Sequence, residues 1–345
     1  MKNRSTNVRR IPSLLAPAPQ RAITWGGETA VQYAVVAFFA LLTLLMPIHV
    51  SAATVVDQLG RKVCVPDHPG RIVCLAPSIT EIMFALDLSD RLAGATQFSD
   101  YPPQANRLAK VGSYVRLDVE KIVALKPDLC IAVKDGNPLT AIRKLEALGI
   151  PVYAVDPRNL EAVMDTLQEL GRLLSVSDRS DAIVAGMRHR IERVRQTVAG
   201  ATHRPTVFFQ IGIAPIVSVG TDTFIHELID MAGGVNLAAG DTPYPRFSKE
   251  AVIASRPEVL IITSMARKAV FEQVKREWRE WESIPAVKND RIYLVDSNVL
   301  DRATPRLADG LEMLARLIHP DRFGPNRFAL DQSEAGERDD KGVLP

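Results

Sequence analysis

Cysteine is scarce. The 345-residue chain holds three, Cys64, Cys74 and Cys130, which excludes a scaffold built on disulfides. Aromatic residues make up only 6%, so any that gather in loops stand out. Charge of one sign is also missing. The 42 Lys and Arg face 40 Asp and Glu, a net of +2, and a dominant basic face for nucleic acid is not indicated. The six His include no pair at the i, i+4 spacing of a helical metal site. His226-Glu227 lacks the second His of the zinc-protease motif, and no Gly-x-Ser-x-Gly elbow, phosphate loop or Gly-x-Gly-x-x-Gly follows a predicted strand. These absences leave little on which to build catalysis, a metal site or a bound cofactor.

What is present divides unevenly along the chain. Residues 1–52 carry Lys2, Arg4, Arg9, Arg10 and Arg21 against Glu28 alone, and beyond them 37 basic side chains face 39 acidic ones. The apolar run AVVAFFALLTLLMPIHV, residues 34–50, is followed by Ser51-Ala52-Ala53. Basic flank, apolar centre and small-residue exit are the parts of a secretory signal. Residues 1–52 are therefore read as a signal peptide, cleaved after Ala52. The rival is an uncleaved anchor on a sensor domain. No cysteine follows the run directly, so no lipid attachment site is seen. In an oxidising compartment two readings of the cysteines stand: a Cys64–Cys74 bridge, or three small core residues.

The rest is long enough for two domains. Apolar strands such as RIVCLAP, DLCIAV and PVYAVD alternate with amphipathic helices such as LTAIRKLEALG, predicting parallel sheets with helices on both faces. Ser78 and Glu81 read as a capping box opening the first helix. At residues 177–198 the rhythm breaks into one long charged helix with a narrow apolar stripe, Ile183, Val184, Met187, Ile191, Val194 and Val198, the pattern of a strut along two domains. Alternation then restarts. The fold class is α/β: two lobes, each a mainly parallel sheet flanked by helices, bridged by one long helix. The expected boundaries are an N-terminal lobe at 53–175, a linking helix at 176–203, a C-terminal lobe at 204–320 and a disordered tail at 321–345.

The halves echo one another. Residues 118–131, DVEKIVALKPDLCI, align with 248–261, SKEAVIASRPEVLI. Each carries a Glu near a helix start, where the helix dipole favours it, and each ends in a basic-Pro-acidic step before a buried strand. In α/β folds ligands sit beyond the carboxyl ends of the strands. The loops predicted there hold Phe98, Tyr101, Tyr114, Tyr244 and Phe247, a concentration that suits a large, partly apolar ligand.

These stretches carry a resemblance. RIVCLAPSITEI, FSDYPPQA, LDVEKIVALKPDLCIA, SKEAVIASRPEVLIIT and DRATPRL, between about Gly60 and His319, resemble the periplasmic iron-chelate/cobalamin-binding proteins of ABC importers, and are most similar to the cobalamin-binding members. The resemblance implies a monomeric periplasmic carrier without enzymatic activity, which hands cobalamin or a related corrinoid to a dimeric inner-membrane permease. It places Phe98 and Tyr114 on one side of the ligand, and Tyr244, Asn298 and Arg302 on the other. The family often has Tyr at position 98, Trp at 114 and 244, and Asp at 298, so stacking survives here while a hydroxyl and a charge are lost. Glu120 and Glu250 match lobe-surface carboxylates that dock onto permease arginines. Haem or a ferric siderophore as ligand, and an exported tetrapyrrole enzyme, are the alternatives.

Overall fold

The computed structural model describes residues 52–264 and 268–323. The expected signal peptide, Ala52 apart, lies outside them, as does the chain beyond Phe323. In chain order the N-terminal lobe comprises β1 (Ala52–Val56), β2 (Lys62–Pro66), β3 (Ile72–Cys74), α1 (Pro77–Ala85), β4 (Leu92–Ala95), β5 (Ala109–Lys110), β6 (Gly112–Ser113), β7 (Arg116–Leu117), α2 (Val119–Ala124), β8 (Leu129–Val133), α3 (Leu139–Ala147), β9 (Val152–Val155) and α4 (Leu160–Leu173). The linking helix α5 (Ser177–Ala199) follows. The C-terminal lobe comprises β10 (Thr206–Gln210), β11 (Ile216–Val217), α6 (Phe224–Met231), β12 (Val235–Asn236), β13 (Arg246–Phe247), α7 (Lys249–Ser255), β14 (Val259–Ser264), α8 (Lys268–Arg279), α9 (Pro285–Lys288), β15 (Ile292–Asp296), α10 (Ser297–Leu300), α11 (Leu307–Ile318) and α12 (Pro320–Phe323).

Each lobe holds one parallel sheet, in the order β5-β4-β3-β8-β9 in the first and β12-β10-β14-β15 in the second. The central strands are near-continuous apolar runs, IVC, LCIAV and VYAV, because helices cover both faces. Alternate side chains enter different cores. Val73, Cys130 and Val152 pack with Ile122 and Leu145 in one layer. Phe208, Leu260 and Ile262 pack with Val252 and Trp278 in another. The opposite faces, through Ile72, Ile131, Phe209 and Ile261, join a single core shared by both lobes.

Helix α5 ties this shared core together. Val184, Met187 and Val194 are buried, and Ile183, Ile191 and Val198 pack against the same core, the six positions of the expected stripe. The helix lies against α4 and α11. On its polar side Arg190 pairs with Asp309 and Glu312, and Arg193 with Glu312. A second link between lobes runs from Glu227 in the first turn of α6, whose carboxylate accepts from the Leu160 amide at the start of α4 at 2.7 Å. That contact satisfies an otherwise open helix donor and places a negative charge at a positive helix end.

Two expectations are corrected, and one open alternative, the state of the cysteines, is decided. Helix α1 has no Ser78–Glu81 capping box. Its cap is Ala76 without a side-chain bond, Pro77 occupies the first turn, where its missing amide costs nothing, and Glu81 points elsewhere. All three cysteines are free: Cys64 is exposed on β2, while Cys74 and Cys130 are buried on β3 and β8. Burial pushes both buried thiols up to about 12, leaving them protonated and inert. The expected tail does not begin at residue 321, because α12 continues the order to Phe323. Its Phe323 carbonyl accepts from Arg316, and Arg322 donates to the Gly200 carbonyl.

Candidate ligand-binding cleft

The loops at the carboxyl ends of the two sheets carry the expected side chains. Tyr114 sits at the tip of the β6–β7 hairpin. Its carbonyl accepts from Asn137 Nδ2 at 2.8 Å, and the same amide donates to the Leu75 carbonyl while its oxygen accepts from the Val133 amide. Asn137 thus fastens the hairpin to the ends of β3 and β8. The Tyr114 ring lies over Gly136, where an added Cβ would come within 2.7 Å of two ring atoms. Gly136 also has φ +117°, a backbone region open chiefly to glycine.

Phe98 is 45% exposed, in the loop after β4. The loop rests on a buried hydroxyl cluster: Thr80 donates to Ser99 at 2.9 Å, and Thr96 meets the same hydroxyl at 2.9 Å. Lys110 Nζ donates to the carbonyls of Ser99 and Ala105.

Tyr244, 58% exposed, belongs to the C-terminal lobe. Its loop is held by backbone bonds on either side, Gly220 to Pro243 and Ser218 to Pro245. Gly220 is required there, since a Cβ would fall 2.0 Å from the Thr242 carbonyl oxygen. The Tyr244 hydroxyl is held above its ordinary pKa, first by burial, then by the charges of Asp135, Asp301 and Tyr114. Asp135 and Tyr114 belong to the N-terminal lobe, Asp301 to the C-terminal lobe. Asp301 itself is raised to about 7 by burial, its Oδ1 has no hydrogen-bond partner, and the nearby Asp296 adds to the shift.

Arg302 and Asn298 lie on the same side as Tyr244 in the chain, but their surroundings differ from a free ligand contact. The Arg302 side chain is 11% exposed and pairs with Glu81 at 2.7 Å and Asp100 at 2.9 Å. It also donates to the Phe98 carbonyl at 3.1 Å. Burial works against its charge, yet the bonds to Glu81 and Asp100 keep its pKa above the usual guanidinium value. Asn298 is half-buried in α10, its amide bonded to Asp296 and its carbonyl to Arg306. The FSDYPP and RATPR segments, far apart in the chain, therefore meet at Glu81.

Glu120 and Glu250 stand outside this cluster. Both are exposed in the first turns of α2 and α7, behind the capping side chains of Asp118 and Ser248. Such caps are worth ~1 kcal/mol each. Hydrogen bonds from its own backbone amide and from Ser248 hold the Glu250 carboxyl below its usual range.

Asn137, Gly136 and Arg306 were not singled out by the sequence, and Glu81 was read only as part of a helix cap. The glycine after LCIAV-Lys-Asp was the available signal for close backbone approach; the other three act through partners distant in sequence. Among the described residues no three His, Cys, Asp or Glu are grouped to hold a metal ion.

The comparisons with known proteins agree with this architecture. Residues 72–299 match the family model described as periplasmic binding protein. The vitamin B12-binding protein of Vibrio cholerae is 32% identical over 251 residues, 72% of this chain and 88% of that protein. An uncharacterized ABC transporter substrate-binding lipoprotein of Bacillus subtilis, YvrC, is 31% identical over 78% of this chain and 86% of its own length. Among solved structures, the periplasmic vitamin B12-binding protein BtuF of Vibrio cholerae superposes with a TM-score of 0.65 at 30% identity, covering 73% of this chain and 97% of that one. The periplasmic heme-binding protein RhuT of Roseiflexus sp. RS-1 gives 0.66 at 27% identity, covering 72% and 98%. With the family model spanning most of the folded chain and relatives above 30% identity matching at nearly full length, the chain belongs to the periplasmic binding protein family, as a periplasmic substrate-binding component of an ABC importer and not an enzyme.

Proposed function

We propose that the chain binds cobalamin or a related corrinoid between Tyr114 and Tyr244 and delivers it to a dimeric permease. What supports this reading is the kinship with vitamin B12-binding relatives together with a tyrosine on each lobe, Tyr114 at the tip of the β6–β7 hairpin and the exposed Tyr244 in a loop of the C-terminal lobe. Flat aromatic faces on the two lobes suit a broad macrocycle whose periphery carries neutral amides. Phe98 adds a third aromatic edge with Arg302 bonded to its carbonyl, and Asn298 completes the proposed set. The vitamin B12-binding relatives support the same ligand class.

The alternatives meet physical obstacles in this cleft. A ferric siderophore of net negative charge meets Asp135 and Asp301 beside Tyr244, while Arg302 is already paired with carboxylates. Haem bound through a tyrosine needs an ionised phenol on iron, which Tyr114 or Tyr244 would have to supply. The similarity to a heme-binding structure keeps haem as the second reading. Glu120 and Glu250, equivalent in the two lobes, are the proposed docking pair, since two matched anions fit a two-fold symmetric partner.

The test is calorimetric titration of the protein purified from the periplasm, with cyanocobalamin, hemin and a ferric siderophore in parallel. One-to-one binding of cyanocobalamin alone is expected. Heat from hemin or siderophore in its place moves the ligand to iron. Silence with all three overturns the cleft assignment.

A further inference from the structure

We infer that Glu81 is a positioning residue of the binding site: one buried carboxylate of the N-terminal lobe holds two arginines of the C-terminal lobe and so sets the spacing of the cleft walls. The inference deepens the cleft reading above and rests on it for the ligand, but not for the spacing.

The Glu81 side chain is 3% exposed. Its Oε1 accepts from Arg302 Nη1 at 2.7 Å and from Arg306 Nη2 at 3.0 Å, and its Oε2 accepts from Arg306 Nε at 2.9 Å. Both oxygens are thus engaged from the opposite lobe. Each arginine then reaches back to a residue at the cleft. Arg302 donates to the Phe98 carbonyl and pairs with Asp100. Arg306 donates to the Asn298 carbonyl at 2.6 Å and stacks 3.7 Å from the centre of the Tyr101 ring. Two cations and two carboxylates balance, so the cluster is neutral as a whole.

The physical consequence follows from burial. Separating the lobes here strands Glu81 against two guanidinium groups in a poorly solvated seam, and an unpaired buried charge is strongly disfavoured. Arginine suits the task because its planar fork makes several bonds to one carboxylate. The cluster lies beside a groove of about 480 Å³ lined from both lobes by Phe84, Tyr101, Pro102 and Pro305, so aromatic and proline packing reinforces it. The cleft walls are held at one separation before ligand arrives, which lowers the ordering cost of binding.

The test places one spin label on each lobe, through Lys144→Cys and Lys288→Cys, both exposed, with Cys64→Ser removing the exposed native thiol. Inter-lobe distances are read by pulsed electron resonance with and without cyanocobalamin, in otherwise wild-type protein, Glu81→Gln and Glu81→Ala. The expected result is one narrow distance in the first, unchanged by ligand. Both variants should show a broadened distribution without ligand, and at least tenfold slower association of cyanocobalamin. Arg306→Lys, which keeps the charge but loses the fork, should fall between. A distribution as narrow in Glu81→Gln as in the parent, with melting confirming a folded chain, overturns the inference. Broadened distances in a protein that binds no cyanocobalamin uphold the Glu81 role and overturn the ligand reading instead.

Discussion

Helices α2 and α7 occupy equivalent places in the two lobes, and their surroundings agree step by step. Each is capped by the side chain before it, Asp118 or Ser248. Each gives way to a basic residue in the left-handed region, Lys126 at φ 48° or Arg256 at φ 51°, and then to proline. Each is followed by an acid that ties down the lobe's first parallel strand: Asp128 accepts from the Gly70 and Arg71 amides, Glu258 from the Thr206 amide. The cleft rims do not agree. The Phe98 loop is fastened by a hydroxyl cluster, Lys110 and Arg302, whereas the Tyr244 loop hangs on backbone bonds. Repetition marks scaffold and the proposed docking surface, as a two-fold symmetric partner would require. Divergence marks the rims, as a ligand with two different faces would require.

The comparison can be broken most severely at the docking pair. Glu120→Ala combined with Glu250→Ala should abolish uptake of labelled cobalamin in cells while leaving calorimetric affinity unchanged, and the two single variants should impair uptake equally. Loss of affinity in the double variant would assign these residues to the cleft instead.

The next effect sharpens the contrast between rims. Tyr114→Ala and Tyr244→Ala should each weaken ligand binding by roughly 10–100-fold, about 1.4–2.7 kcal/mol. Tyr114→Ala should cost more, because its ring is already seated on Gly136 and fixed by Asn137. Equal losses would argue against preorganisation of that rim.

Smaller still is the cost of removing a strand tie. Asp128→Ala and Glu258→Ala each remove the acceptor for amides at the start of a strand and should destabilise by ~0.5–1.5 kcal/mol in urea unfolding. Similar values in both lobes are expected from the shared geometry.

The last contrast concerns Asp301, which has no counterpart in the N-terminal lobe echo, and shows only as a dependence on pH. Its folded pKa of about 7 lies above the ordinary 3.8. Between those values the native state holds a proton that the unfolded chain has released, so stability falls as pH rises through that window. Asp301→Asn should remove this slope: no difference in melting temperature near pH 4, and a gain that grows as pH rises to 7. The groups around Asp301 include Thr263, Asp296, Arg302 and Tyr244, and a flat wild-type profile would mean that Arg302 outweighs burial.

Much of the molecule was legible before any coordinates. Apolar periodicity located the parallel strands, the six-residue stripe located the linking helix, and scarce aromatics falling in loops pointed to Phe98, Tyr114 and Tyr244. Local rules failed at α1. Ser78 and Glu81 have capping-box spacing, but proline already meets the needs of that helix start, and Glu81 finds stronger partners across the seam. Arg302 and Asp100 were visible as charges in loops; that they pair was not.

The amino-acid order alone determined which segments form strands and helices, where the chain doubles its design and which loops reach the sheet edges, because these depend on spacings of a few residues. Tertiary structure decided that Glu81, 221 positions from Arg302, joins the two lobes and that Asn137 carries the Tyr114 hairpin. A buried charge takes its partner from whatever the folded chain brings within about 3 Å, and folding, not sequence distance, sets that neighbourhood.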